Sequence, residues 1–219
     1  MERVLQVLAI DDHGVVLEGY NAIFKSIYTQ KTIKFLKASD CKTGYEVVKK
    51  NEKKPFDIAV VDYSIPSYEE QNLFSGEDMA LFIRQAMPTC KIVMMTMHKE
   101  VDIMARILQK IEPEGFINKS DCTTDELIAG FKSVIEGGVY YSKTVSNYIK
   151  RTEKGVVLDD VDIRIIQLLA KGIKNKNLDK YILLSASGIE KRKYRIKRLL
   201  EVEGDDEALI NEARSRGYI

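Results

Sequence analysis

Cysteine and histidine are scarce in this chain, with three of one and two of the other among 219 residues. Cys41, Cys90 and Cys122 are odd in number and never spaced as CxxC, which argues against a disulfide framework or a zinc knuckle. They are expected as reduced, packed thiols. His13 and His98 alone make a histidine-rich metal site improbable. No run approaches the roughly 20 apolar residues of a membrane helix. No early stretch pairs a basic start with a long apolar core, since Val4 to Ile10 stops at two carboxylates. A soluble, cytoplasmic protein with no membrane partner is expected. Neither charge dominates, with 34 Lys and Arg against 33 Asp and Glu. There is no internal repeat or low-complexity tract.

What is present is a globular composition, 45% apolar, in a chain long enough for one large domain or two ordinary ones. Short apolar runs alternate with segments of helical period, the pattern of βαβ units. Strands are expected at Val4 to Ile10, Thr32 to Ala38, Phe56 to Val61, Ile92 to Met95 and Gly115 to Ile117. Helices are expected at Val15 to Tyr28, Thr43 to Lys50, Glu77 to Met87, Val101 to Ile111 and Thr124 to Glu136, the last stopped by Gly137-Gly138. The fold class is therefore α/β, a five-stranded parallel doubly wound sheet over residues 1–140. A polar linker spans 141–157 and is broken at Gly155. A small all-α domain over 158–219 follows, with helices at Asp159 to Ala170, Lys176 to Leu183, Gly188 to Val202 and Asp206 to Arg216.

Chemically loaded residues end four of the apolar runs: Asp11 and Asp12, then Asp62, Thr96 and Lys119. In an open parallel sheet the carboxyl ends of the strands share one edge, where ligands bind. Asp11, Asp12 and Asp62 offer hard oxygen ligands to Mg2+, and a carboxylate is an accepted phosphoryl nucleophile. Lys119 would neutralise a phosphoryl oxygen and Thr96 would donate a hydrogen bond to another. Each residue alone has a plainer role, as a turn former, helix cap or solvated base. Their conjunction in this order favours one site. Phe116, three residues before the lysine, is more often a core residue than a reporter of phosphorylation.

With Asp11-Asp12, Asp62 and Pro66, Thr96, and the stretch Gly115 to Ser120 around Lys119, the chain resembles the two-component response regulators. Within them it is similar to the NarL/FixJ class, which joins a flavodoxin-like receiver to a LuxR-type helix-turn-helix domain. That resemblance implies a phosphoryl group accepted by Asp62 from a sensor histidine kinase. It also implies magnesium held by Asp12, Asp62 and the backbone carbonyl of Ser64, with Thr96 and Phe116 as the switch pair. Between Pro66 and Gly76 the chain carries several residues more than that family usually has. This loop either shields Asp62, alters access by the kinase, or is a surface insertion.

Residues 171 to 198 hold ten Lys or Arg against Asp179 and Glu190, a net of +8, whereas Glu201 to Glu207 hold five acids. On a helix, Ile189, Ile196, Leu199 and Leu200 share one face, and Glu190, Lys191, Tyr194 and Arg198 point away from it. The plain reading is a solvated charged helix. Two consecutive basic helices joined by the short turn Leu183 to Ser187 favour a helix-turn-helix on double-stranded promoter DNA. Leu158, Asp162, Ile165, Leu169, Gly172, Asn175 and Lys176 also fall on LuxR-type positions. The resemblance implies base reading by Glu190, Lys191 and Tyr194, with Lys174, Lys176, Arg192 and Arg195 nearer the phosphates. Gly188, Glu190 and Arg192 depart from the family's favoured residues.

The expected function is a phosphorylation-switched transcription factor, a homodimer when phosphorylated, with RNA polymerase as a further partner. One rival is a regulator that works without phosphorylation. The other is a phosphatase of the haloacid dehalogenase type, which needs DxD after the first strand where this chain has Asp11-Asp12-His13.

Overall fold

The computed structural model describes residues 4–29, 32–153 and 158–219. They form two compact units, Met1–Val145 and Ser146–Ile219. In the first, β1 (Leu5–Ile10), β2 (Ile33–Ala38), β3 (Ile58–Asp62), β4 (Lys91–Thr96), β5 (Gly115–Asn118) and β6 (Tyr140–Tyr141) make one sheet of order β2-β1-β3-β4-β5-β6. All its ladders are parallel. The helices between them are α1 (Gly14–Ile27), α2 (Cys41–Asn51), α3 (Gly76–Ala86), α4 (Val101–Lys110) and α5 (Thr124–Ile135).

Every residue of β3 is buried, as a central strand covered on both faces requires. Alternate residues face opposite ways. Val7, Ala9, Ile58, Val60, Val93, Met95 and Ile117 pack with Leu17, Tyr20 and Phe24 of α1 and Phe131 and Val134 of α5. Phe24 stacks on Phe131 at 4.8 Å. Ile10 faces the other way, where it lies beside Gly44 of α2 and Met79 of α3.

The sheet has six strands where five were expected. β6 is two half-buried tyrosines, with no apolar run to announce it. It pairs Gly115 with Tyr140 and Phe116 with Tyr141. Gly130 makes room for it, because a Cβ there would come within 2.8 Å of the Tyr140 ring. The stretch expected as a linker also holds helix α6 (Lys143–Glu153), whereas Gly155 lies outside the described residues.

In the second unit α7 (Asp160–Ala170), α8 (Ala186–Leu199) and α9 (Asp206–Ser215) enclose a core of Leu158, Ile165, Leu169, Leu178, Ile189, Ile196, Leu200 and Leu209. The helix expected from Lys176 to Leu183 is only a 3-10 segment, Asn175–Lys180. Asn175, Asn177 and Asp179 are residue types that weaken a helix interior. The segment is held by the burial of Leu178 and Ile182 and by the Asn175 side chain, which donates to Asp206 at 2.7 Å and accepts from Lys193 Nζ at 2.8 Å. No helix among the described residues is long and apolar enough to cross a membrane.

Candidate functional site

The ladders set the site. Ile10 is in register with Val61, Asp62 with Met95, and Thr96 with Asn118, so Asp11, Asp62, Thr96 and Lys119 emerge along one sheet edge. The β1–β3 boundary is where strand order reverses, the crevice position of such sheets. Behind Asp62, Gly76 opens α3 against the strand end. Its N–H donates to the Tyr63 carbonyl at 2.9 Å, and a Cβ there would sit 1.8 Å from the Asp62 carbonyl oxygen.

Lys119 ties the edge together. Its Nζ lies 2.7 Å from Asp11 Oδ2 and 2.9 Å from Asp62 Oδ1. Asp11 is fully buried and Asp62 nearly so, while Asp12, His13 and Ser64 are exposed. Asp11 Oδ1 also accepts from the His13 N–H at 2.9 Å, and Asp12 Oδ1 lies 2.7 Å from His13 Nδ1. Burial pushes the Asp62 carboxyl above its ordinary range. Lys119 opposes that rise, and the charges of Asp11 and Asp12 add to it. Burial works against the Lys119 charge, yet hydrogen bonds to Asp11 and Asp62 outweigh it and hold the ammonium above its ordinary value. The result is a carboxylate that is poorly solvated, hence reactive, beside a cation that stays charged.

Thr96 is buried, and its Oγ1 accepts from the His98 N–H at 3.0 Å. Phe116 is fully buried, on the sheet face opposite Ile117 and α5. Ser64 Oγ lies 3.4 Å from His98 Nε2. The donor set of Asp11, Asp12 and Asp62 is all hard oxygen and runs from buried to exposed, which fits magnesium better than a softer metal. Asp11, Asp12 and His13 do offer ligand atoms within 4.8 Å of one another. A cavity of about 380 Å³ lined by Leu5, Phe56, Asp57, Thr89 and Lys91 lies at the opposite ends of the strands, so cavity volume does not locate this chemistry.

Supporting residues around the site carry no sequence motif. Tyr63, next to Asp62, sets its ring edge-on to His98 at 5.2 Å and accepts at its hydroxyl from Arg106 Nη2 at 3.1 Å. Arg106 also donates to Glu77, a buried carboxylate at the start of α3 that Lys110 reaches as well. The visible signal is the pair Arg106 and Lys110, spaced i,i+4 on α4. The inserted loop is folded rather than open. Tyr68 and Leu73 form an antiparallel bridge, Leu73 is buried, and Asn72 turns the chain at φ 56°. The Tyr68 ring packs on Tyr45 of α2, which stacks on Phe82 of α3 at 4.9 Å.

On α8, Ser185 caps the start and Ile189 and Ile196 anchor the buried face. Glu190, Lys191, Tyr194 and Arg198 are exposed, and so are Lys174 and Lys176 before the helix. Tyr194 is 72% exposed, an aromatic held in solvent. Arg195 is exposed as well, whereas Arg192 and Lys193 turn inward. Arg192 Nη1 lies 2.6 Å from Asp159 and 2.8 Å from the fully buried Asp162, and Arg195 reaches Asp162 at 3.2 Å. Lys193 is buried on Asp206 at 2.9 Å.

Residues 7–132 match the response regulator receiver domain family. The response regulator UvrY of Escherichia coli is 24% identical over 212 residues, covering 93% of this chain and 91% of that protein. The oxygen regulatory protein NreC of Staphylococcus carnosus is 23% identical, covering 93% and 94%. Among solved structures, RcsB of Salmonella typhimurium superposes with a TM-score of 0.57 at 20% identity, over 96% of this chain and 99% of that one. A structure of two RcsB dimers bound to two parallel DNAs gives 0.58 at 22% identity, over 97% and 99%. With the acidic edge of the sheet, the bridging lysine and this match over more than half its length, the chain belongs to the response regulator receiver domain family.

Proposed function

We propose that this protein is a DNA-binding response regulator whose input is phosphorylation of Asp62 and whose output is transcription control. The observation that carries this is Lys119 Nζ bridging Asp11 and Asp62 at 2.7 and 2.9 Å. An Asp62 oxygen attacks the phosphorus of a phosphohistidine on a sensor kinase. The new P–O bond forms as the P–N bond breaks, and the imidazole takes up a proton. Lys119 stays charged and receives a phosphoryl oxygen, and the Thr96 hydroxyl, now an acceptor from His98 N–H, has its own proton free to donate to another. Asp11, Asp12, Asp62 and the Ser64 carbonyl would hold magnesium, which when bound neutralises charge on the phosphoryl group. The residues thus assist their own modification and its reversal, without turning over an outside substrate. Residues 158–219 serve as a LuxR-type helix-turn-helix on promoter DNA, active as a homodimer in the cytoplasm with RNA polymerase as a further partner. RcsB, of like fold, is described as dimers on DNA.

Incubation with acetyl phosphate and magnesium is expected to add the mass of one phosphoryl group to the wild type and none to Asp62→Asn. Equal masses with unchanged oligomeric state and DNA affinity would favour the phosphorylation-independent regulator, and turnover of phosphate esters the phosphatase. A second expectation concerns the basic face. Duplex affinity should fall with salt by a log–log slope of about 0.9 per phosphate neutralised. Lys176→Gln should weaken all sequences alike, whereas Lys191→Ala or Tyr194→Ala should change sequence preference. Competition binding on randomised duplexes separates the two, and equal effects from all three would undo the assignment. Glu190 fits a cytosine amino group as acceptor.

A further inference from the structure

Two buried polar residues, Asn118 and Ser142, stand between the acidic site and helix α6. Asn118 Nδ2 donates to the His98 carbonyl at 2.6 Å, and the His98 N–H donates to Thr96 Oγ1. The Asn118 N–H donates to Ser142 Oγ at 3.0 Å, and that hydroxyl donates to Asp121 Oδ2 at 3.0 Å. Asp121 is the last residue of the single 3-10 turn that Lys119 begins. Its carboxylate accepts from the Thr144 N–H at 2.6 Å and from Thr144 Oγ1 at 2.9 Å. An acid there satisfies an otherwise unpaired first-turn N–H of α6 and complements the helix dipole. α6 begins before the division of the chain at Val145 and ends after it, so it starts in one compact unit and finishes in the other.

Resting on the reading of Asp62 as phosphoacceptor, we infer that Asp121 is the residue through which the state of that site reaches α6. Lys119 is held by one oxygen of Asp11 and one of Asp62. A phosphoryl group on Asp62 draws the ammonium toward its own oxygens. The turn that follows is three residues long and pinned at its start by Asn118 Oδ1, which accepts from both the Ser120 N–H and its hydroxyl. So short a turn cannot absorb the shift, and Asp121 moves with it. Thr144 then loses its acceptor and the first turn of α6 loosens. Packed, hydrogen-bonded elements move between discrete arrangements rather than deforming smoothly, which makes this step a switch.

The test is amide hydrogen exchange on the full chain, with and without acetyl phosphate and magnesium, with intact mass reporting phosphorylation. In the wild type, exchange at residues 144–148 is expected to rise roughly fivefold with the phosphodonor, the loss of about one cap. Asp121→Ala should take up the same phosphoryl mass, exchange fast already without donor, and rise no further. Asp121→Asn keeps one acceptor oxygen and should fall between. Thr144→Val loses only the hydroxyl contact, so it guards against a misfolded Asp121→Ala and should show a reduced response. The inference is overturned if phosphorylated wild type leaves α6 exchange unchanged or slower, or if phosphorylated Asp121→Ala responds as the wild type does. Absence of a phosphoryl group on wild-type Asp62 would instead bring down the phosphoacceptor reading beneath it, a failure visible in the mass alone.

Discussion

Replacing Lys119 by methionine is expected to slow phosphorylation of Asp62 by roughly 10²–10³-fold, the usual cost of one charge-stabilising donor. It should also lower folding stability by about 3 kcal/mol. Both effects come from one ammonium. Its removal leaves Asp11, fully buried, with only the His13 contacts at Oδ1, and leaves Asp62 beside two other carboxylates. Asp62→Asn should do the reverse to stability. The Asp62 carboxyl is held above its ordinary value by burial, so its ionised form is the more comfortable one in the unfolded chain. Its contribution to stability therefore falls as pH rises from the ordinary carboxyl value through the raised one, and it remains unfavourable at neutral pH. Asn at this position removes that cost. Urea midpoints at pH 7 should order as Asp62→Asn above wild type above Lys119→Met. A Lys119→Met protein as stable as wild type would mean that the bridge is energetically idle.

Replacing Arg192 by methionine is expected to melt the second unit rather than to weaken a phosphate contact. Asp162 is fully buried, caps α7 together with Asp159, and takes its charge balance from Arg192 at 2.8 Å and Arg195 at 3.2 Å. Taking away one partner of a buried pair costs about 3 kcal/mol or more. Arg195 remains in reach of Asp162, and the Asp159 contact is half exposed and adds little, so about 2–3 kcal/mol is expected here. Below the melting temperature the salt slope of DNA binding should be unchanged. Were Arg192 a phosphate contact, that slope would drop by about one with no loss of thermal stability. Calorimetry and a salt titration of the same variant distinguish the two.

Arg192 shows where sequence reasoning stops. Its place in a basic run gave no sign of Asp162, thirty residues earlier, which only the packing of α8 on α7 brings to it. Lys193 likewise counts toward a basic face by composition but is buried on Asp206. Of the residues expected to meet DNA, those that are exposed are Lys174, Lys176, Glu190, Lys191, Tyr194, Arg195 and Arg198. β6 was invisible for a different reason. Two tyrosines carry no periodicity, and their pairing depends on a glycine ten positions back on α5. The central strands were legible because burial on both faces forces an unbroken apolar run, and a loaded residue after such a run stands out.

The sequence by itself determined the α/β class, the strands that carry Asp11, Asp62, Thr96 and Lys119, and the family to which those residues belong. Local hydrophobic pattern suffices for that, because a strand's buried faces and its end are properties of contiguous residues. Only the tertiary structure decided which charges face each other: Lys119 between two acids, Arg192 on Asp162, Glu77 under Arg106, and Asp121 at the start of α6. Ion pairs and caps between residues distant in sequence leave no periodic trace. Their energies depend on burial, which exists only once the chain has folded.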